Sequence, residues 1–138
     1  MNEGTSTGKF TTMDAAALRA SMAKFEGLAV VATVNPDGTP DAAIFMPAMP
    51  DDGHVILVLA QNHTRANIER TGVAHLVYDV ANPHAKEKAA RHAGARLDLT
   101  LVRSEGDTAA EYDEVAREYA HMNPAVMILR IERILPIG

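Results

Sequence analysis

Cysteine and tryptophan are absent from the 138 residues, and aromatic side chains make up only 4% of them. Without cysteine the chain can form no disulfide, offers no thiolate to a metal and has no cysteine nucleophile. No apolar run approaches the roughly 20 residues that span a membrane, and residues 1–8 lack the basic and apolar regions of a secretory signal. We therefore expect a cytoplasmic protein without a membrane-spanning segment.

Positive charge is in the minority, since 13 Lys and Arg face 18 Asp and Glu, for a formal net charge of −5 at pH 7. Proteins that bind nucleic acids or anionic membranes present a basic face, so neither partner is expected. The six histidines, at 54, 63, 75, 84, 92 and 121, lack the spacing of metal ligands, and no metal site is expected. A local basic cluster consists of Lys86, Lys88, Arg91, His92 and Arg96. It is interpreted as a solvated face, with the alternative that it helps to hold an anionic ligand or the partner subunit.

The length fits one domain, and the composition, 47% hydrophobic and 22% charged, is that of an ordinary globular protein. Residues 1–11 are small and polar and are expected to form a flexible tail, which leaves 12–138 as the domain. Apolar spacing and turn residues predict short elements along it. In chain order they are a helix at 14–25, strands at 28–34, 40–46 and 54–59, a helix at 65–71, a strand at 73–78, a polar excursion at 82–93, a strand at 96–101, a helix at 108–120 and a strand at 125–134.

The strand segments favour a mainly β architecture. Asn35-Pro36-Asp37-Gly38 has the Pro and Gly positions of a tight turn, which predicts a hairpin between the first two strands. The third strand follows a loop at 47–53, so the first three strands should form an antiparallel meander. Thr108 and Glu111 have the spacing of a capping box for the last helix. Together the elements predict a small, mostly antiparallel barrel with helices at its ends.

The strand end and helix start at 60–67 form the most informative stretch for chemistry. Backbone N–H groups at a helix start have no partner within the helix, and the helix dipole favours an anion there. His63, Thr64 and Arg65 add a hydroxyl and positive charge, so a phosphate site is predicted. An alternative hypothesis is open, in which Thr64 only caps the helix and Arg65 is solvated.

The same segments carry a family resemblance. The strand at 28–34, the turn Asn35-Pro36-Asp37-Gly38-Thr39-Pro40, and the stretch 54–78 with Thr64-Arg65-Ala66-Asn67-Ile68 resemble the core of the pyridoxamine 5'-phosphate oxidase-like split barrels. Within that family the sequence is most similar to the short FMN-binding proteins of sulfate-reducing bacteria. The resemblance covers residues 14–135 and rests on the order and spacing of all the segments together.

The resemblance implies a six-stranded antiparallel split β-barrel with flanking helices, working as a homodimer with FMN between its subunits. The FMN phosphate would lie at the strand-to-helix junction and the ring along the second strand. Thr64 would bond the phosphate through its hydroxyl and amide, and His63 stands where a lysine is common in the family. The implied cofactor-binding residues are Ile44, Phe45, Met46, Leu59, Ala60, Gln61, His63, Thr64 and Asn67.

The function that the resemblance implies is that of a flavin-dependent oxidoreductase with a nicotinamide or other small-molecule electron donor, and no catalytic residue follows from it. Three alternatives are a non-catalytic FMN electron carrier, a split barrel that has lost its cofactor, and a split barrel that binds F420 or haem instead of FMN. The apolar Ile44-Phe45-Met46, where relatives place polar and Trp residues, and the missing lysine at His63 favour the carrier or the barrel without a cofactor. The basic second-strand signature of true pyridoxamine 5'-phosphate oxidases is missing, so that activity is not expected.

Overall fold

Six antiparallel strands form one curled half-barrel sheet, which confirms the predicted mainly β architecture. The computed structural model describes residues 13–25, 27–80, 82–119 and 125–137, and the predicted tail at 1–11 lies outside them. None of the helices in these ranges is long and apolar enough to cross a membrane. The helices are α1 (Ala15–Lys24), α2 (His63–Thr71) and α3 (Ala109–Tyr119), and the strands are β1 (Ala29–Val34), β2 (Pro40–Phe45), β3 (His54–Val58), β4 (Val73–Tyr78), β5 (Ala95–Val102) and β6 (Val126–Leu135).

The order of the strands differs from the predicted meander. The sheet runs β2-β1-β4-β5-β6-β3, so β3 lies at the edge opposite β2 and pairs with β6, where Val55 faces Leu129. An isolated bridge between Ala48 and Ile56 leads the chain after β2 toward β3. The segment 46–53 is longer than a tight hairpin loop, which allows β3 to cross to the free edge of β6 and pair with its backbone groups.

One apolar core joins the inward face of the sheet to α1 and α2. Leu18 of α1 and Ile68 of α2 are completely buried against inward-facing strand residues. The pleat sends alternate side chains to opposite faces, so every second residue of a strand enters this core. A smaller cluster around Val115 packs α3 against the strands. The strand residues of the main core are Ala29, Val31, Val55, Leu57, Ala74, Leu76, Tyr78, Ala95, Leu97, Leu99, Met127 and Leu129.

The outward face of β1 and β2 is apolar as well. Val30 and Ile44 lie opposite each other in the register, and both are exposed. An antiparallel sheet that faces water alternates apolar and polar residues, so this face has the composition of a surface that another layer covers. It becomes polar at β4, where His75 Nδ1 lies 2.7 Å from Asp98 Oδ1. The outward positions of β1 and β2 are Val30, Ala32, Val34, Pro40, Ala42 and Ile44.

The start of α3 differs from the predicted capping box. Thr108 lies in a 3-10 turn before the helix, and its hydroxyl accepts from Arg103 N at 2.7 Å and donates to Arg103 O at 2.8 Å. Glu111 turns toward β6 instead and accepts two hydrogen bonds from the guanidinium of Arg130. The box is wrong because Thr108 bonds to the backbone of Arg103, directly after β5, and Glu111 bonds to Arg130 of β6.

The excursion between β4 and β5 is held by its own polar groups and includes a 3-10 turn at Lys88–Arg91. Arg91 Nε donates to Ala85 O at 3.0 Å, and Arg96 Nε donates to Pro136 O at 2.7 Å. His92 is paired with Asp79. These three members of the predicted basic cluster therefore make structural contacts and do not form a freely solvated face.

Candidate functional site

The junction between β3 and α2 is built on Asn62. Its side chain accepts a hydrogen bond from Arg65 N at 2.9 Å, which makes Asn62 the N-cap and His63 the first helical residue. The predicted cap at Thr64 is therefore wrong by two residues. Asn and Thr are both favoured caps, and the earlier one is used here. Thr64 falls in the first turn of the helix, where its hydroxyl is not needed for capping.

A groove, called the first groove, lies between β2 and the start of α2. Its volume of about 420 Å³ is within the range of small-molecule sites. Thr64 is only 2% exposed and lines this groove, whereas His63 is exposed at its edge. The full lining is Asp41, Ala42, Ala43, Phe45, Asn62, His63 and Thr64.

The backbone at the start of α2 suits an anion. His63 and Thr64 are the first two helical residues, so their N–H groups have no acceptor within the helix. The positive end of the helix dipole lies at the same place. Two donors and the dipole therefore meet at the wall of the first groove.

Arg65 does not contribute its charge to this groove. Its Nη1 donates to Leu59 O at 2.7 Å and to Ala125 O at 3.2 Å, and its Nε lies 3.4 Å from Glu69 Oε1. The guanidinium thus ties the end of β3 to the residue that precedes β6. Both sequence hypotheses for Arg65, a phosphate contact and a solvated side chain, are wrong.

Asn67 fastens α2 to β1. It is 2% exposed, and its Nδ2 donates to Thr33 Oγ1 and to Asn35 Oδ1, both at 3.0 Å. Its Oδ1 accepts from Arg70 Nη1 at 3.0 Å, and Arg70 Nη2 donates to Val34 O. The amide hydrogens of Asn67 are therefore used within the protein, which makes it a positioning residue for α2.

A second groove continues past His63 along α2. It lies between that helix and the turn that joins β1 to β2, and its volume is about 470 Å³. Asp37 in the turn accepts from the hydroxyl and the N–H of Thr39, and these bonds lower the pKa of its carboxyl. The lining residues are Asn35, Pro36, Asp37, His63, Ala66, Asn67 and Arg70.

Comparisons with known proteins agree with this architecture, although no protein-family model and no curated protein matches the sequence. An FMN-binding protein from Syntrophomonas wolfei superposes with a TM-score of 0.61 at 17% identity, over 89% of this chain and 85% of that one. HupZ of Group A Streptococcus gives a TM-score of 0.60 at 23% identity, over 91% and 94%. A candidate pyridoxamine 5'-phosphate oxidase from Lactobacillus delbrueckii gives 0.57 at 17% identity, over 99% and 98%. The chain has the pyridoxamine 5'-phosphate oxidase-like split-barrel fold.

The split barrel brings some of the implied cofactor residues together and separates others. Phe45, His63 and Thr64 line the first groove, and Asn67 lines the second. Leu59 belongs to the apolar core. The remaining four residues are exposed, and they are Ile44, Met46, Ala60 and Gln61. The exposed fraction is 60% for Ile44 and 70% for Met46.

Four residues of the first groove were missed by the sequence analysis. Asp41 and Ala43 share the face of β2 that carries Phe45, so the period of two along the strand could have found them. Asn62 could have been found as an Asn placed directly before a helix. Ala42 had no signal, because it lies on the face of β2 opposite to Asp41, Ala43 and Phe45.

Proposed function

We propose that this split barrel binds FMN in the first groove and works as a flavin-dependent oxidoreductase. The observation that carries the proposal is the position of Thr64, a residue only 2% exposed in the first turn of α2 that lines a groove of ligand size and has a hydroxyl. The FMN-binding protein from Syntrophomonas wolfei, which shares the fold, supports the choice of ligand.

The phosphate of FMN would bind at the start of α2. The N–H groups of His63 and Thr64 and the Thr64 hydroxyl supply donors there, and the helix dipole adds a favourable potential. Hydrogen bonds to an ionised phosphate are stronger than those between neutral groups. Arg65 is not among the groups that would bind the phosphate, because its guanidinium donates to the backbone carbonyls of Leu59 and Ala125.

The β2 wall suits a flat ring. Ala42, Ala43 and Phe45 give it a small apolar surface, and a β-strand at the sheet edge also presents backbone N–H and C=O groups. FMN, when bound, supplies the hydride or electron transfer itself. Asp41 and His63 are the titratable side chains among the described lining of this groove, so they are the residues that can hold a proton beside the cofactor.

We also propose a homodimer that covers the outward face of β1 and β2. The six outward positions of these strands carry no charge, and Val30, Val34 and Ile44 are exposed on them. A two-fold arrangement would pack the same apolar face of two copies together. Light scattering after gel filtration should give twice the monomer mass. Ile44→Lys should give a monomer, whereas Val58→Lys, at an exposed apolar position on β3, should leave the dimer intact.

The test of the cofactor is loading followed by reduction. Purified protein is incubated with FMN, with F420 and with hemin in parallel, desalted, and its absorption spectrum recorded. Retained FMN with no retained F420 or hemin supports the proposal, and a protein that retains none of them contradicts it. The FMN-loaded protein is then mixed with NADH or NADPH without oxygen. Bleaching of the flavin supports the oxidoreductase, whereas retained colour supports the non-catalytic carrier.

A further inference from the structure

The two grooves lie next to each other along α2. His63 lines both of them, and the second groove extends about two helical turns further, to Ala66, Asn67 and Arg70. FMN placed with its phosphate at the start of α2 and its ring along β2 leaves the second groove unused. That groove is as large as the first, and its own lining residues indicate what could bind there.

The second groove has an apolar body with polar ends. Pro36 of the turn and Ala66 of the helix are its apolar members, one on each side. Asp37 Oδ1 accepts from Thr39 N at 3.0 Å and from Thr39 Oγ1 at 2.6 Å, which holds the carboxylate in place and leaves Oδ2 as an acceptor. A flat ring that carries an amino group matches such a slot.

Arg70 supplies a fixed cation in the same groove. Its Nη1 donates to Asn67 Oδ1 at 3.0 Å and its Nη2 to Val34 O, so the guanidinium has little freedom. A guanidinium has five N–H donors, and these two bonds leave others for an anion. A cation, an acceptor and an apolar slot together match the phosphate, the amino group and the ring of an adenine nucleotide.

We infer that the second groove binds an adenine nucleotide, with the ring between Pro36 and Ala66, the amino group at Asp37 and a phosphate near Arg70 and His63. The inference depends on the proposed function only in one respect, which is that the FMN phosphate lies at the start of α2, next to the second groove. Two ligands contain an adenine nucleotide of this kind. One is FAD, whose adenylate half is covalently joined to the flavin half, and the other is a separate nicotinamide adenine dinucleotide.

The experiment compares two alanines, each of which lines one groove only. Ala66→Leu fills the second groove and Ala43→Leu the first, and both variants are checked for a wild-type thermal transition. Calorimetric titrations then use AMP and FMN as probes. We expect Ala66→Leu to raise the dissociation constant of AMP by about tenfold or more and to change that of FMN by less than about twofold. Ala43→Leu should raise the dissociation constant of FMN by about tenfold or more and change that of AMP by less than about twofold. Should either leucine prevent folding, Ala66→Val and Ala43→Val replace the pair.

Titrations with FAD, and of FMN-loaded protein with NADH, identify the source of the nucleotide. FAD that binds more tightly than FMN, with the difference lost in Ala66→Leu, assigns the groove to FAD. NADH binding to the FMN-loaded protein that Ala66→Leu weakens assigns it to a separate dinucleotide. Absence of AMP binding together with equal FMN and FAD affinities overturns the inference, as does AMP binding that Ala66→Leu leaves unchanged. If the wild-type protein does not bind FMN, but it binds AMP and Ala66→Leu weakens that binding, only the proposed function is contradicted.

Discussion

His54 Nε2 lies 2.6 Å from Glu111 Oε2, a contact that ties the start of β3 to α3. The other ring nitrogen, Nδ1, lies 3.0 Å from both carboxylate oxygens of Asp51. Each nitrogen faces an acceptor, so the arrangement favours the imidazolium, which donates from both. Glu111 also accepts from Arg130, and these hydrogen bonds, the largest cause, lower the pKa of Glu111 to about 2.

The stability of the protein should decrease at alkaline pH because of His54. Burial by itself lowers the pKa of His54, but hydrogen bonds and attraction to Glu111 and Asp51 outweigh it and raise the pKa above 6.5. A group whose pKa is raised in the folded state contributes its full stabilisation below its ordinary pKa, here 6.5. This contribution to the free energy of unfolding is lost as the pH rises through the folded-state pKa. The free energy of unfolding should therefore fall between about pH 6 and about pH 9.

Urea denaturation of wild type and His54→Gln at the two pH values measures this contribution. The variant should lose less stability than wild type between them, since it lacks the titrating ring. His63→Gln, at an exposed position, serves as the control and should behave as wild type. An equal loss in wild type and His54→Gln would show that the ring does not couple folding to pH.

Asn67→Ala should destabilise the fold. The substitution leaves Thr33 and Asn35 without the donor that each now has, and it frees Arg70 from one of its two contacts. We expect a loss of about 1–3 kcal/mol in the free energy of unfolding by urea denaturation. Asn82→Ala, at an exposed position, should change it by less than about 0.5 kcal/mol. Similar values for the two variants would argue against a structural role for the Asn67 network.

Gly94→Ala should be among the most damaging single substitutions. A Cβ at Gly94 would lie 1.9 Å from Tyr78 O and 2.5 Å from Asp79 Cα, so the ends of β4 and β5 would have to separate. We expect a loss of about 1–3 kcal/mol or failure to fold. At Gly53 the nearest atom to an added Cβ is Asp51 Oδ1 at 3.8 Å, and Gly53→Ala should stay within about 1 kcal/mol of wild type. Equal urea midpoints for the two variants would refute the close contact.

The sequence was sufficient for the elements with a strong local pattern. The bounds of β4 were predicted as observed, because its β-branched and apolar residues lie between Gly72, which ends α2, and a polar excursion. The pairing of β3 with β6 was not predictable in the same way, since the two strands are far apart in the chain and nothing local distinguishes β6 from β2 as the partner.

For the site, too, local sequence patterns were informative, whereas contacts between distant parts of the chain were not predictable. The local signal of a strand end that enters a helix pointed to the start of α2, beside which the first groove lies, although the cap there is Asn62 and not the predicted Thr64. The direction of Arg65 depends on the carbonyls of Leu59 and Ala125, which only the folded sheet brings together. The second groove depends likewise on the approach of the turn at Pro36 to Ala66, and no pattern in the sequence indicates it.

The measurement that tests the central claim most directly is the dissociation constant of FMN for wild type and Thr64→Val, from quenching of flavin fluorescence. Valine keeps the shape of the buried side chain and removes only the hydroxyl. We expect saturable binding to wild type and a loss of about 1.5–3 kcal/mol in Thr64→Val, roughly tenfold or more in the dissociation constant. Thr100→Val, on β5 and away from the groove, should bind as wild type. Equal dissociation constants for wild type and Thr64→Val, or no saturable binding to wild type, would contradict an FMN phosphate at the start of α2.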